Sequence, residues 1–355
     1  MIQQTPNNIL LKALATFLLG LFLFLPSQAQ NKKKIVIRQA DIHEYKKING
    51  EDVAWLVGNV EYEHEGAIMN CDSSIYYRSQ NRFEAFNNVR INQGDSIRMQ
   101  GDKMTYDGTS KLMHITGNVW LTDGTMRLSC NEIIYDRAQN LAYYNSGGIL
   151  TQDDNKLSSR LGFYNATTKR FVFQDSVRLV NPEYRIIADT LHYGSDNKTA
   201  YFFGPTEIIA DSTSIYCEKG QYNTLKDIAQ LTKKAIIIKK AQTIKGDSIY
   251  QVKKGFGDIT GNAYISDTVN KYVITGGRAR YRENPEYALV TQNPLYALNI
   301  EDDTLYITGD TLNVVADVDL KRKVRVYRNT KFYKRDFQGK CDSLIYTETD
   351  SVFNL

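Results

Sequence analysis

Gly117-Asn118-Val119-Trp120-Leu121-Thr122-Asp123-Gly124-Thr125-Met126-Arg127-Leu128-Ser129-Cys130-Asn131-Glu132-Ile133-Ile134-Tyr135 is the stretch whose reading decides the fold. Apolar and polar residues alternate along it, and the apolar ones are mostly β-branched, aromatic or long aliphatic, which suits a pleated, half-buried surface. Asp123-Gly124 stands between two alternating runs, a hairpin signal because the favoured two-residue turn needs positive φ at its centre. Residues 119–121 therefore read as a strand, 126–135 as a second strand, 138–140 as another turn and 141–144 as a third strand. The same marks recur about every 29 residues to the end of the chain, in about ten copies. One marker is a small residue, usually an acid, and then tyrosine: Cys71-Asp72 with Tyr76, Gly101-Asp102 with Tyr106, Ala188-Asp189 with Tyr193. These tyrosines fall at 76, 106, 135, 164, 193, 222, 250, 281 and 346, and one copy lacks its tyrosine near Leu312. The other marker is Gly58-Asn59-Val60, Asn87-Asn88-Val89, Gly117-Asn118-Val119, Asp175-Ser176-Val177 or Gly261-Asn262-Ala263. Two markers in step over this length mean stacked units, each burying its apolar side on the next.

Within a copy the apolar parity shifts. Met69 and Cys71 precede the acid on one parity, whereas Met104 and Tyr106 follow it on the other. A bulge or corner at the acid restores the inward face, and its carboxylate is placed to cap exposed backbone there. Helical signals are nearly absent; residues 221–234 are the one sizeable candidate, and their place in the ladder argues for strand. The expected fold is all-β: an elongated β-jellyroll or open sandwich built from repeats of three or four short strands, with a parallel β-helix or solenoid as the competing architecture. Inward positions match from copy to copy, and Phe83, Ile91, Met113, Ile115, Val119, Leu121, Phe171, Phe173, Val177 and Leu179 form the candidate apolar groove. A dry core needs the same residue types. Cys71, Cys130, Cys217 and Cys341 share one slot, five before a marker tyrosine, with Gly101, Ser159 and Ala188. A slot of that composition is a tight packing position, so the four thiols are expected free and buried, too far apart for disulfides.

Residues 1–29 read as a secretory signal peptide: Lys12 is the lone charge, an apolar run of about 13 residues follows, and Pro26-Ser27-Gln28-Ala29 offers a cut site. That run is short of the roughly 20 residues a membrane span needs. The lysine run at 32–34 is expected to be a solvated tail. The net charge of +4 is a near balance that argues against nucleic acid as a partner. His43, His64, His114 and His192 occupy different phases of the repeat, so no metal site is expected, and no nucleophile elbow, zinc-protease motif or phosphate loop is present. The chain is therefore expected to be no enzyme and to need no cofactor.

The paired markers resemble those of the LptA/OstA family of periplasmic lipopolysaccharide-transport proteins, carried here by Gly58-Asn59-Val60 with Cys71-Asp72 and Tyr76, by Gly117-Asn118-Val119, and by Ala188-Asp189 with Tyr193. The chain departs from the pattern after Gly220, where Lys233-Lys234-Ala235 and Asn293-Pro294 stand in the Gly-Asn-Val position. The resemblance implies a β-jellyroll carrier in the periplasm whose groove holds the acyl chains of lipid A. It further implies edge-strand stacking on other jellyroll components of the transport bridge, or on itself. Two alternatives stand beside it: a secreted β-helical enzyme acting on polysaccharide, and the periplasmic arm of an outer-membrane barrel assembly protein. The expected organisation is a signal peptide over 1–29, a lead-in over 30–50 and a repeat domain over 51–355, the last with two possible lobes at about 51–222 and 223–355. Residues 351–355 read as a strand leading to the next marker, so the chain stops in mid-repeat.

Overall fold

Each marker pair becomes one antiparallel hairpin of two long, bent strands. In this computed structural model the described residues are 34–48, 50–94, 97–252, 255–316 and 322–355; the signal-peptide expectation and the lysines at 32 and 33 lie outside them. From Ile35 to Leu355 the chain is one unit. Its 27 described strands form a single sheet in which every strand pairing is antiparallel. Most strands pair with their neighbours in chain order and all pairings are antiparallel, so the fold is the all-β, jellyroll type and the parallel β-helix is excluded. Residues 221–234 are strand at both ends, within Thr213–Asn223 and Ile228–Lys239.

The tyrosine marker and the Gly-Asn-Val marker lie on alternate strands. Ala67–Tyr77 carries Asp72 and Tyr76, while its neighbours Glu51–His64 and Arg82–Gln93 carry Gly58-Asn59 and Asn87-Asn88. The expected change of face is present: in Ala67–Tyr77 the buried positions run 67, 69, 71 and then 74, 76. Its partner strand makes the corner with two consecutive left-handed residues, φ +79° and +45° at Gly58 and Asn59, or +76° and +47° at Gly117 and Asn118. Pairing steps from Val57↔Ser73 to Val60↔Cys71, leaving Asp72 alone opposite two residues, which is a bulge. Strands were expected to break here into three or four per repeat. Most run through instead, because the ladder resumes as soon as the left-handed pair has turned the chain. Breaks occur around Gly147, Arg160 and Gly309 and at residues 292–294, where adjacent halves still pair with one neighbouring strand.

The acid stabilises this corner differently from the expected backbone cap. Its carboxylate accepts from the asparagine Nδ2 of the adjacent strand: Asp72 from Asn88 at 2.7 Å, Asp102 from Asn118 at 2.8 Å and Asp310 from Asn329 at 3.1 Å. The turn at Asp123-Gly124 also differs, with only Gly124 at positive φ (+91°). Asp123 Oδ1 accepts the N–H groups of Thr125 and Met126. All four cysteines are free; Cys71 and Cys217 are buried, Cys130 and Cys341 half-buried. Burial pushes the Cys71 thiol up to about 12 and those of Cys130 and Cys217 to about 11, so they behave as small apolar groups.

Candidate functional site

The inward side chains form two packed clusters, one from Ile35 to Phe202 and one from Cys217 to Tyr346. The candidate groove residues meet in the first. Phe83, Ile91, Met113, Ile115, Val119, Leu121, Phe171, Phe173 and Val177 are all buried there, and Leu179 packs against them half-buried. Phe83 stacks on Tyr62 with centroids 4.0 Å apart, and Phe171 on Tyr164 at 4.3 Å. Around Phe83, Ile91, Met113, Ile115 and Leu121 this is a packed core rather than an open groove.

Space opens farther along, where the two clusters meet. One half-open cavity of about 320 Å³ lies between strands Arg185–Gly194 and Gln242–Val252, and a second of about 310 Å³ reaches back to Leu150 and Leu157. Tyr184, Ile186 and Tyr222 line both. Each cavity has room for roughly ten groups of water size, at ~30 Å³ apiece. Of the sequence-derived groove set, Phe173 and Leu179 reach a cavity wall, that of the second. The half-buried apolar residues Tyr184, Tyr193, Ile208, Ile215 and Tyr222 gather around this gap.

The gap follows from the residues that copies supply at equivalent positions. Nine residues before the marker tyrosine, the packed region has Ala67, Ile97 and Met126, all buried. Around the cavities that slot holds Asn155, Tyr184 and Thr213. The marker itself also fails. Counting four residues from the acid of each corner, as Asp72 to Tyr76 and Glu218 to Tyr222, places the marker of the next copy at Gln251. Tyr250, assigned from sequence as that marker, is 41% exposed on the outer face, and Gln251 lines the first cavity. A spacing of 29 from Tyr222 gives 251, so the signal was in the sequence and an adjacent tyrosine concealed it.

Polar groups share the walls with the apolar ones: Thr213, Asp227, Lys239 and Gln251 at the first cavity, and Gln152, Asp153, Asn155, Lys198 and Thr224 at the second. The Tyr222 hydroxyl donates to Asp227 at 2.9 Å, and burial together with that carboxylate pushes the phenol up to about 12. Lys239 is paired with Glu283. Lys198, in the second cavity, has no ion pair among the described residues. The histidines do not converge: His64 bonds the Tyr106 hydroxyl at 2.6 Å, His114 meets Glu132, His192 lies against the Phe203 ring and His43 is exposed. Among the described residues no group of three or more His, Cys, Asp or Glu is placed to hold a metal ion. No described helix is long and apolar enough to cross a membrane.

Comparison with known proteins adds a family. Residues 32–189 match the sequence model of the OstA-like protein family. No curated protein matches. Among solved structures the chain is similar to LptH, the LptA homologous periplasmic component of the conserved lipopolysaccharide transport device from Pseudomonas aeruginosa. The identity is 19%, over 28% of this chain and 75% of that one, with a TM-score of 0.26. Residues 32–189, with the antiparallel repeat that runs through them, are thus OstA-like in sequence.

Proposed function

We propose that the chain is a periplasmic component of lipopolysaccharide transport that binds acyl chains and performs no chemistry. The observation that carries this reading is the pair of apolar cavities opening inside an OstA-like strand array. Apolar burial is non-directional, so such walls hold alkyl chains without a catalytic group, at about 0.8 kcal/mol for each methylene taken out of water. Partners are proposed to dock by strand addition: Ile42–Ile48 pairs with Glu51–His64 on one side, its other edge has no described partner, and its residues are largely exposed. Export to the periplasm, an arrangement in two lobes divided near residue 222 and self-association by those edges belong to the same proposal. The test is extraction of purified protein with organic solvent, followed by mass spectrometry and by rebinding of lipid A to the stripped protein. Co-purified lipid A and saturable rebinding support the reading; a protein that carries no lipid and rebinds none overturns it.

A further inference from the structure

We propose that the break in the tyrosine ladder at Gln251 creates a discrete binding site for one alkyl chain of an acylated amphiphile. The site lies at the seam between the two packed clusters. This deepens the transport reading and rests on it.

Every other marker tyrosine from 76 to 281 points inward; Tyr106 and Tyr135 are fully buried, and Tyr281 is 4% exposed. Each fills the interior above a pair of flanking residues on the neighbouring strands, as Tyr106 does between Phe83 and Met113. Gln251 has Ala229 and Gly257 as its flanking residues, two of the smallest available. Gly257 is small because the Tyr281 ring lies over it: a Cβ there would come within 2.3 Å of the ring. A glutamine set between alanine and glycine leaves the first cavity unfilled. Thr213 adds to it from the slot that Ile97 and Met126 fill elsewhere.

The occupant is set by the walls. Ile186, Phe202, Ile208, Ile215 and Leu231 surround the first cavity. A hydrocarbon regains the contacts these apolar side chains lack, while Thr213, Asp227, Lys239 and Gln251 form the polar part of the wall. The shape is divided: Tyr184 and Tyr222 stand in both cavities, so a chain entering one must pass them to reach the other. Lys198, without an ion pair among the described residues, lines the second cavity together with Asp153 and is the cation there that can meet an anionic head group. A free fatty acid and an acylated, phosphorylated lipid both offer that combination of alkyl chain and negative charge.

The experiment titrates the full-length protein with a fluorescent polyene fatty acid and, separately, with lipid A. It compares wild type with Gln251→Tyr, Thr213→Met and the outward control Tyr250→Ser, each checked by thermal unfolding. Gln251→Tyr restores the repeat and should fold at least as stably as wild type. It is expected to weaken binding at least tenfold, as is Thr213→Met, while Tyr250→Ser binds as wild type does. Wild-type binding of lipid with undiminished affinity in both filled variants overturns this site and leaves the transport reading standing. Binding of the fatty acid but not lipid A keeps the site and assigns it to free fatty acids. If wild type binds neither lipid, both readings fall. Should Gln251→Tyr fail to fold, Thr213→Met decides on the same criteria.

Discussion

At the scale of single residues, the corner is where this sequence is least tolerant. Gly117 combines φ of +76° with a packed carboxylate: a Cβ on it would lie 2.5 Å from Asp102 Oδ2. Gly117→Ala is expected to destabilise by about 1–3 kcal/mol through backbone strain, read as a lower urea midpoint at unchanged slope. An unchanged midpoint would mean that the corner relaxes freely. Asp123 gives a second test, by pH. Burial alone would raise its pKa, but the N–H groups of Thr125 and Met126, the Thr125 hydroxyl and the Tyr164 hydroxyl together hold it below the ordinary aspartate value. A carboxyl depressed in the folded state stabilises fully above its unfolded pKa of about 3.9 and loses that contribution as pH falls through the lower folded value. The stability difference between wild type and Asp123→Ala should therefore stay constant from about pH 7 to 5 and shrink below about pH 4. A difference that persists undiminished at the lowest pH would assign the loss to something other than this carboxylate.

At the scale of elements, hairpins are tied to one another by side chains that leave the repeat pattern. Arg322 opens strand Arg322–Lys334 and holds two carboxylates at 2.8 Å each, Glu286 just before Tyr287–Thr291 and Glu348 just after Phe337–Thr347. Its guanidinium lies 4.6 Å from the centroid of the Tyr272 ring, whose hydroxyl donates to Glu286 at 2.5 Å. The Arg322 side chain is 7% exposed, so its removal leaves two carboxylates facing each other in a poorly solvated place. Arg322→Ala is expected to cost about 3–5 kcal/mol, measured by denaturant unfolding, and a loss under about 1 kcal/mol would show that water replaces the arginine readily. Nothing in the periodicity announced this cluster, since its members sit in turns and at strand ends, where the repeat is silent. The strands themselves were legible: alternation, the parity shift at the acid and the shared Cys/Gly/Ser/Ala slot are all consequences of one buried face, and a buried face is what a pattern of residue types records. The continuity of strands through Gly58-Asn59 was not legible, because resumption of pairing depends on φ at two residues rather than on their chemistry.

At the scale of the molecule, a repeat array is as strong as its weakest interface between neighbours, because each unit touches only the next. The sequence showed which residues face inward but not whether they close on one another, since a filled core and an open groove use the same types. Closure depends on summed volume, and the deficit at Thr213, Ala229 and Gln251 becomes visible only when the strands carrying them are set side by side. That deficit has a dynamic consequence. Strand Thr213–Asn223 buries one side chain, that of Cys217, and Ile228–Lys239 buries three, whereas Arg82–Gln93 and Leu112–Thr122 bury four each. Local opening costs less where fewer apolar contacts are broken, so hydrogen exchange should be faster in the first group than in the second. A ligand that binds only the closed seam stabilises it in proportion to the logarithm of its concentration over its Kd. Saturating lipid should then slow exchange in the seam strands selectively and leave Arg82–Gln93 unchanged. Uniform protection along the array in the free protein, or an equal response to lipid everywhere, would show that the two packed clusters open as one and that the seam is not where this molecule yields.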